Sequence, residues 1–182
     1  MHQAIDGTVK TCTIRRMPTG KWFACFPVET YVLLPPRRDG HVVGIDVGLQ
    51  SFATLSNGEK IDNPRFFRSE EKELAKVQRK LSKASKGSPE RMRALKVVEM
   101  VHERIANRRM DFVNKVSRGL ADRFGLVAFE DLDIKNMIQN GNLAKSISDV
   151  AWWMLVTVTQ GKAAYAGSEV VIVDPRNTSR TC

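Results

Sequence analysis

Cysteine is scarce in this chain. Cys12, Cys25 and Cys182 are odd in number and have no framework spacing among 182 residues, which excludes a disulfide scaffold. That usage suits a reduced, cytosolic setting. Histidine is equally sparse: His2, His41 and His102 have no metal-ligand spacing and carry no role. No apolar run reaches the roughly 18 residues of a spanning helix. Residues 1–10 are mixed and strand-like rather than secretory. Internal repeats and low-complexity tracts are missing too. What is present is 42% apolar residues, enough to build a core for one domain or one and a half.

The net charge of +9 becomes informative once it is located. Residues 65–123 hold 17 Lys/Arg against 8 Asp/Glu, while the rest of the chain holds 12 of each. The whole excess therefore lies in one segment. A localised basic stripe is the footprint of a polyanion binder, foremost nucleic acid, with a solvated helical face as the plain alternative.

The stretch Val42-Val43-Gly44-Ile45-Asp46-Val47-Gly48 reads as a short apolar strand with one carboxylate set into it. Asp is poor in strands and costly to bury unpaired. Gly44 and Gly48 let a ligand or backbone come close. Three readings stay open on this heptapeptide: a metal-holding Asp of a nuclease core, a phosphate-loop Asp of an actin-like ATPase, and a strand-end turn residue.

Upstream, residues 8–34 pattern as a β-hairpin turning at Thr19-Gly20, with the Trp22, Ala24, Phe26 and Val28 face as its better anchor. Cys12 and Cys25 read as small hydrophobes in that sheet. Residues 35–40 form a boundary. The strand 42–47 is followed by a strand 51–56, an Asn57-Gly58 hairpin turn and a return strand from Glu59. Two basic helices come next. Ser69 is the expected cap of the first, with Glu70, Glu71 and Glu73 at its positive end. Ser88-Pro89-Glu90 starts the second with cap, first-turn proline and acid in order. Val98, Val101, Ile105, Phe112, Val116 and Leu120 give that helix one apolar face, and Gly125 reads as its closing C′ residue. Leu126–Glu130 is a second buried strand ending in a carboxylate. Residues 134–147 read as a loop, and 149–166 as a third helix capped by Ser148. That helix carries Trp152, Leu155, Val156 and Ala163, and Gly167 closes it. Val170–Val173 is a last strand, meeting a turn at Asp174-Pro175.

Short apolar strands joined through helices are what parallel neighbours require. If 126–130 lies beside 42–47, Asp46 and Glu130 come together. Two adjacent carboxylates repel, and a hard divalent cation such as Mg²⁺ or Mn²⁺ removes the conflict. A pair of such ions roughly 4 Å apart can hold an attacking water and a leaving oxygen in line for phosphodiester hydrolysis.

Four segments together resemble the OrfB/TnpB family of insertion-sequence proteins: Gly44-Ile45-Asp46-Val47-Gly48, the Ser82–Arg109 run ending in His102-Glu103-Arg104-Ile105-Ala106-Asn107-Arg108-Arg109, Phe129-Glu130-Asp131-Leu132, and Asp174–Cys182. The resemblance covers residues 5–182 in the family's order. It implies an α/β fold, an RNase H-like (RuvC-like) mixed sheet with a long basic helical insert over about 65–124. Before it stands a partial β-rich, RNA-contacting module at 1–40, with the nuclease core at 41–182. It implies a transposase-type, RNA-guided, metal-dependent DNA endonuclease related to type V CRISPR effectors, working in the prokaryotic cytoplasm without membrane, with guide RNA and target DNA as partners. By the same resemblance Asp46 and Glu130 are the first two catalytic, metal-binding carboxylates. Arg79, Lys80, Lys83, Lys86, Arg91, Arg104, Arg108 and Arg109 would grip phosphates rather than read bases.

In the family, the motif ending in Cys182 opens a four-cysteine zinc ribbon, and a third catalytic Asp follows it. The expectation is therefore a truncated copy with an incomplete ribbon at Cys182, Zn²⁺ confined to full-length relatives, weak Mg²⁺ or Mn²⁺ binding, and no activity alone. A non-catalytic RNA- or DNA-binding fragment is the first alternative, an actin-like ATPase-type domain the second.

Overall fold

The computed structural model describes residues 6–31, 33, 35–37, 40–131 and 152–174. The expected loop at 134–147, the Ser148 cap and Cys182 lie outside them. The described chain groups into two compact units, Met1–Leu33 with Glu70–Arg104, and Leu34–Ser69 with Ile105–Cys182.

In the first unit, β1 (Thr8–Val9) pairs with β4 (Val28–Glu29), and β2 (Thr13–Arg16) with β3 (Trp22–Cys25), all antiparallel. This is the expected hairpin, with a one-residue register change between the two pairs. Met17 and Gly20 close its turn, Gly20 at φ 87°. The expected anchor face is not buried: Trp22 is 64% exposed, and Phe23, Phe26 and Ile14 are exposed as well. A ribbon this narrow covers neither of its own faces. Cys12 and Cys25 are likewise exposed free thiols, not core residues.

The unit also takes most of α1 (Phe66–Lys83) and the first half of α2 (Pro89–Arg123). Leu74, Val98 and Val101 are its buried apolar residues. α1 starts three residues before the expected cap. Asn63 Oδ1 accepts the Arg65 amide, and the Ser69 hydroxyl donates to the Phe66 carbonyl from inside the first turn. The three glutamates consequently sit beyond that turn. α2 begins as its sequence predicts, with the Ser88 hydroxyl oxygen accepting the Arg91 amide at 3.1 Å ahead of Pro89.

The second unit is built on one five-stranded sheet. Its strands are β5 (Val42–Val47), β6 (Ser51–Leu55), β7 (Lys60–Asp62), β8 (Leu126–Glu130) and β9 (Glu169–Val173), in the order β7-β6-β5-β8-β9. β6 runs antiparallel to β5 and β7, while β8 and β9 run parallel to β5. Alternation explains the core. Val43, Ile45, Val127 and Phe129 are buried, and the register sets Val43 beside Val127 and Ile45 beside Phe129. Phe52, Ala53, Leu55, Val113, Leu120, Phe124, Trp152 and Leu155 complete the cluster. Phe112 makes T-shaped ring contacts with both Phe52 and Phe66.

On α2 the buried line past Ile105 runs through Val113, Ser117, Leu120 and Ala121, while Phe112 and Val116 are half-buried at its margin. An apolar-only reading of the repeat cannot see a buried serine. Ser117 is matched by Thr159 of α3 (Trp152–Ala166), and their hydroxyls lie 3.1 Å apart with both residues fully buried. Gly167, at φ 74°, ends α3, and the Ser168 amide donates back to the Ala163 carbonyl. Gly125 does not close α2 in a left-handed conformation. Its amide donates to the His41 carbonyl and its carbonyl accepts from the Glu169 amide, so it ties the entries of β5, β8 and β9 together.

Candidate functional site

The parallel pairing of β5 and β8 sets Val42 by Leu126, Val43 by Val127, Gly44 by Ala128 and Ile45 by Phe129. One more step along that register brings Asp46 beside Glu130. Side chains alternate along strands, so Asp46 and Glu130 share the face opposite Val43, Ile45, Val127 and Phe129. Both stand at the C-terminal ends of their strands. Asp46 is exposed and Glu130 half-buried. The two carboxylates are the residues that follow the last cross-strand pair of β5 and β8, Ile45 and Phe129. Across β5, Asp46 pairs with Thr54 of β6, and Thr54 with Lys60 of β7. On the other side Glu130 pairs with Val173 of β9. One row across the sheet therefore reads Lys60, Thr54, Asp46, Glu130, Val173.

One step below this row the face is shallow. Gly44 and Ala128 stand side by side there, offering no side chain larger than a methyl group. The Gly44 amide donates to the Ser56 hydroxyl oxygen at 3.1 Å, and the Gly44 carbonyl accepts the Ser56 amide at 2.9 Å. β5 is thereby pinned to the first residue of the β6–β7 turn. The donor set of the pair is hard oxygen, the chemistry that suits Mg²⁺ or Mn²⁺ with water completing the shell. Among the described residues no group of three or more His, Cys, Asp or Glu gathers as a metal site.

The basic residues divide into two kinds. Arg79, Lys80, Lys83 and Lys86 are exposed around the end of α1. Arg91 is half-buried and turned inward, donating to the Leu81 carbonyl at 2.8 Å and the Ala84 carbonyl at 3.3 Å. Arg104 donates to Glu70 Oε2 at 3.1 Å and Glu73 Oε2 at 3.2 Å. Arg108 is exposed and Arg109 half-buried. Thr54 and Lys60 escaped the sequence reading. Their neighbours depend on pairings that no single strand reveals.

By fold this is a mixed α/β protein, and one solved structure shares that fold. The match is to a chain of the Cas12f1–sgRNA–target DNA complex solved by cryo-EM, with a TM-score of 0.55 at 20% identity over 88% of this chain and 34% of that one. The chain belongs to the OrfB_IS605 family of probable transposases, whose pattern matches residues 25–141. It is 42% identical over 164 residues to a Streptomyces pristinaespiralis protein, covering 90% of this chain and 40% of that one. It is 28% identical over 193 residues to InsQ of Escherichia coli K12, covering 98% and 48%. Both relatives are provisionally named RNA-guided DNA endonucleases. A third, 28% identical over 148 residues, is the TnpB-like protein MJ1635 of Methanocaldococcus jannaschii. The chain thus spans less than half the length of these relatives. Family membership decides against the actin-like alternative. No described helix is long and apolar enough to cross a membrane.

Proposed function

We propose that this chain supplies the carboxylate pair and the basic helices of an RNA-guided, divalent-metal-dependent DNA endonuclease, on an RNase H-like (RuvC-like) sheet. The observation that supports the reading is the parallel pairing of β5 with β8 up to Ile45 and Phe129, the residues just before Asp46 and Glu130. The strand order β7-β6-β5-β8-β9, with only β6 reversed, supports the RuvC-like assignment. Adjacent carboxylates are an electrostatic liability that a bound cation converts into a site. A divalent ion bound there would supply Lewis acidity toward a phosphodiester. Asp46 and Glu130 would hold it, and the small Gly44–Ala128 floor would leave room for a nucleotide backbone. Arg79, Lys80, Lys83 and Lys86 bind phosphates, with guide RNA and target DNA as the polyanions. The hairpin at 8–29 belongs to the RNA-contacting β-rich module, and the working compartment is the prokaryotic cytoplasm.

The second reading is a protein that grips nucleic acid without cutting it, favoured by the four exposed cations clustered at the end of α1. One pair of assays separates the two. Strand cleavage in Mg²⁺ or Mn²⁺ that disappears in Asp46→Ala supports the endonuclease. Binding that falls steeply with salt, with cleavage no better than in Asp46→Ala, supports the second reading.

A further inference from the structure

We propose that Lys60 is a substrate-positioning residue of the carboxylate face, its ammonium holding a non-bridging oxygen of the phosphodiester presented to Asp46 and Glu130, with the Thr54 hydroxyl between them. The inference rests on the reading of that pair as a divalent-metal site and goes beyond it by assigning the phosphate side.

The register carries it. Thr54 is the cross-strand partner of both Asp46 and Lys60, so all three side chains stand on one face in one row. Two strand spacings put the Lys60 backbone roughly 10 Å from that of Asp46, and the flexible four-carbon stem brings the ammonium toward the space over Thr54. Lys60 is exposed, and it makes no ion pair among the described residues. Thr54 is half-buried, and its β-branched side chain is stiff at χ1. A cation on one flank and two carboxylates on the other is the charge order that seats a phosphodiester beside a metal. The acids hold the metal, and the lysine offsets the phosphate charge that the acids repel. An edge-strand lysine also has a plain use, discouraging the pairing of one sheet with another. That use predicts no contact with phosphate.

The test uses Mn²⁺ and a thymidine dinucleotide, a single phosphodiester too small to engage the helical cations cooperatively. Mn²⁺ binding is followed by electron paramagnetic resonance, and phosphate approach by Mn²⁺-induced broadening of the dinucleotide ³¹P resonance. The expectation is that Lys60→Ala binds Mn²⁺ as the wild-type chain does but weakens the dinucleotide about tenfold, the scale of one charge-assisted hydrogen bond. Lys60→Arg should restore most of it, and Asp46→Ala should lose both signals. Unchanged broadening in Lys60→Ala would make Lys60 an edge lysine only and overturn the proposal. So would Mn²⁺ binding without any broadening in the wild-type chain, and in both cases the metal site would survive. A wild-type chain that binds no Mn²⁺ would remove the metal site and the proposal with it.

Discussion

The Arg91 guanidinium donates to the Leu81 carbonyl at 2.8 Å, reaching from the first turn of α2 back to the last turn of α1. A second bond to the Ala84 carbonyl, at 3.3 Å, makes it a two-point cap on a helix end rich in unsatisfied oxygens. Arg91→Ala is expected to lower stability by about 1–2 kcal/mol, read by urea denaturation. Arg91→Lys should recover part of that, because an ammonium does not reproduce the planar fork. The salt dependence of nucleic-acid binding should change less in Arg91→Ala than in Lys83→Ala, whose side chain is exposed.

The Asp46–Glu130 pair predicts opposite effects with and without metal. In chelator, Asp46→Asn should raise the melting temperature, because one of two neighbouring like charges is gone. In Mn²⁺ the same substitution should cost at least about tenfold in ion affinity, as should Glu130→Gln. Thermal melts with and without Mn²⁺ read both signs. Equal melting in all conditions would mean that the carboxylates neither repel nor share an ion.

Glu59 and Arg123 form an exposed two-point ion pair, with contacts of 3.0 and 2.5 Å. Hydrogen bonds from Arg123 hold the Glu59 carboxyl below its ordinary value of 4.5. A depressed carboxylate stabilises the fold above its unfolded value, and that contribution is lost as pH falls through the folded one. Carboxyl NMR titration should therefore show Glu59 protonating below the ordinary value, and Arg123→Gln should return it upward.

Ser117 and Thr159 place two hydroxyls in a fully buried contact between α2 and α3. The Thr159 hydroxyl is also 2.7 Å from the Leu155 carbonyl. Thr159→Val should cost about 1–2 kcal/mol, because the Ser117 hydroxyl loses its partner inside the core. The double substitution with Ser117→Ala should cost less than the two single losses added together, by about 0.5–1.5 kcal/mol in a double-mutant cycle.

Some features were legible because their causes are local. The Asn57-Gly58 turn, with Gly58 at φ 87°, fixes the β6–β7 hairpin. Ser88 and Pro89 start α2 through a cap that needs three residues to make. The strand ends at Asp46 and Glu130 stood out because an acid closing an apolar run demands a partner. Other features were hidden because their causes are not local. Ser69 looks like a cap until Asn63 and Arg65 start the helix earlier. Ser117 looks like a break in the apolar face until Thr159 arrives from 42 residues away. Arg91 and Arg104 look like any other cations of the basic segment until the carbonyls and glutamates that hold them come into place.

The sequence by itself determined the strands and helices, the location of the excess charge and the two acids at strand ends. Alternation, caps and composition all act within a few residues of their cause. The tertiary structure decided which strands are neighbours, which cations are already engaged within the fold and which residue pairs with Asp46 across β5 and β6. Those outcomes depend on register and packing between segments up to 84 residues apart, as from Asp46 to Glu130. Pairing energy is a property of two strands together, and neither strand alone encodes it.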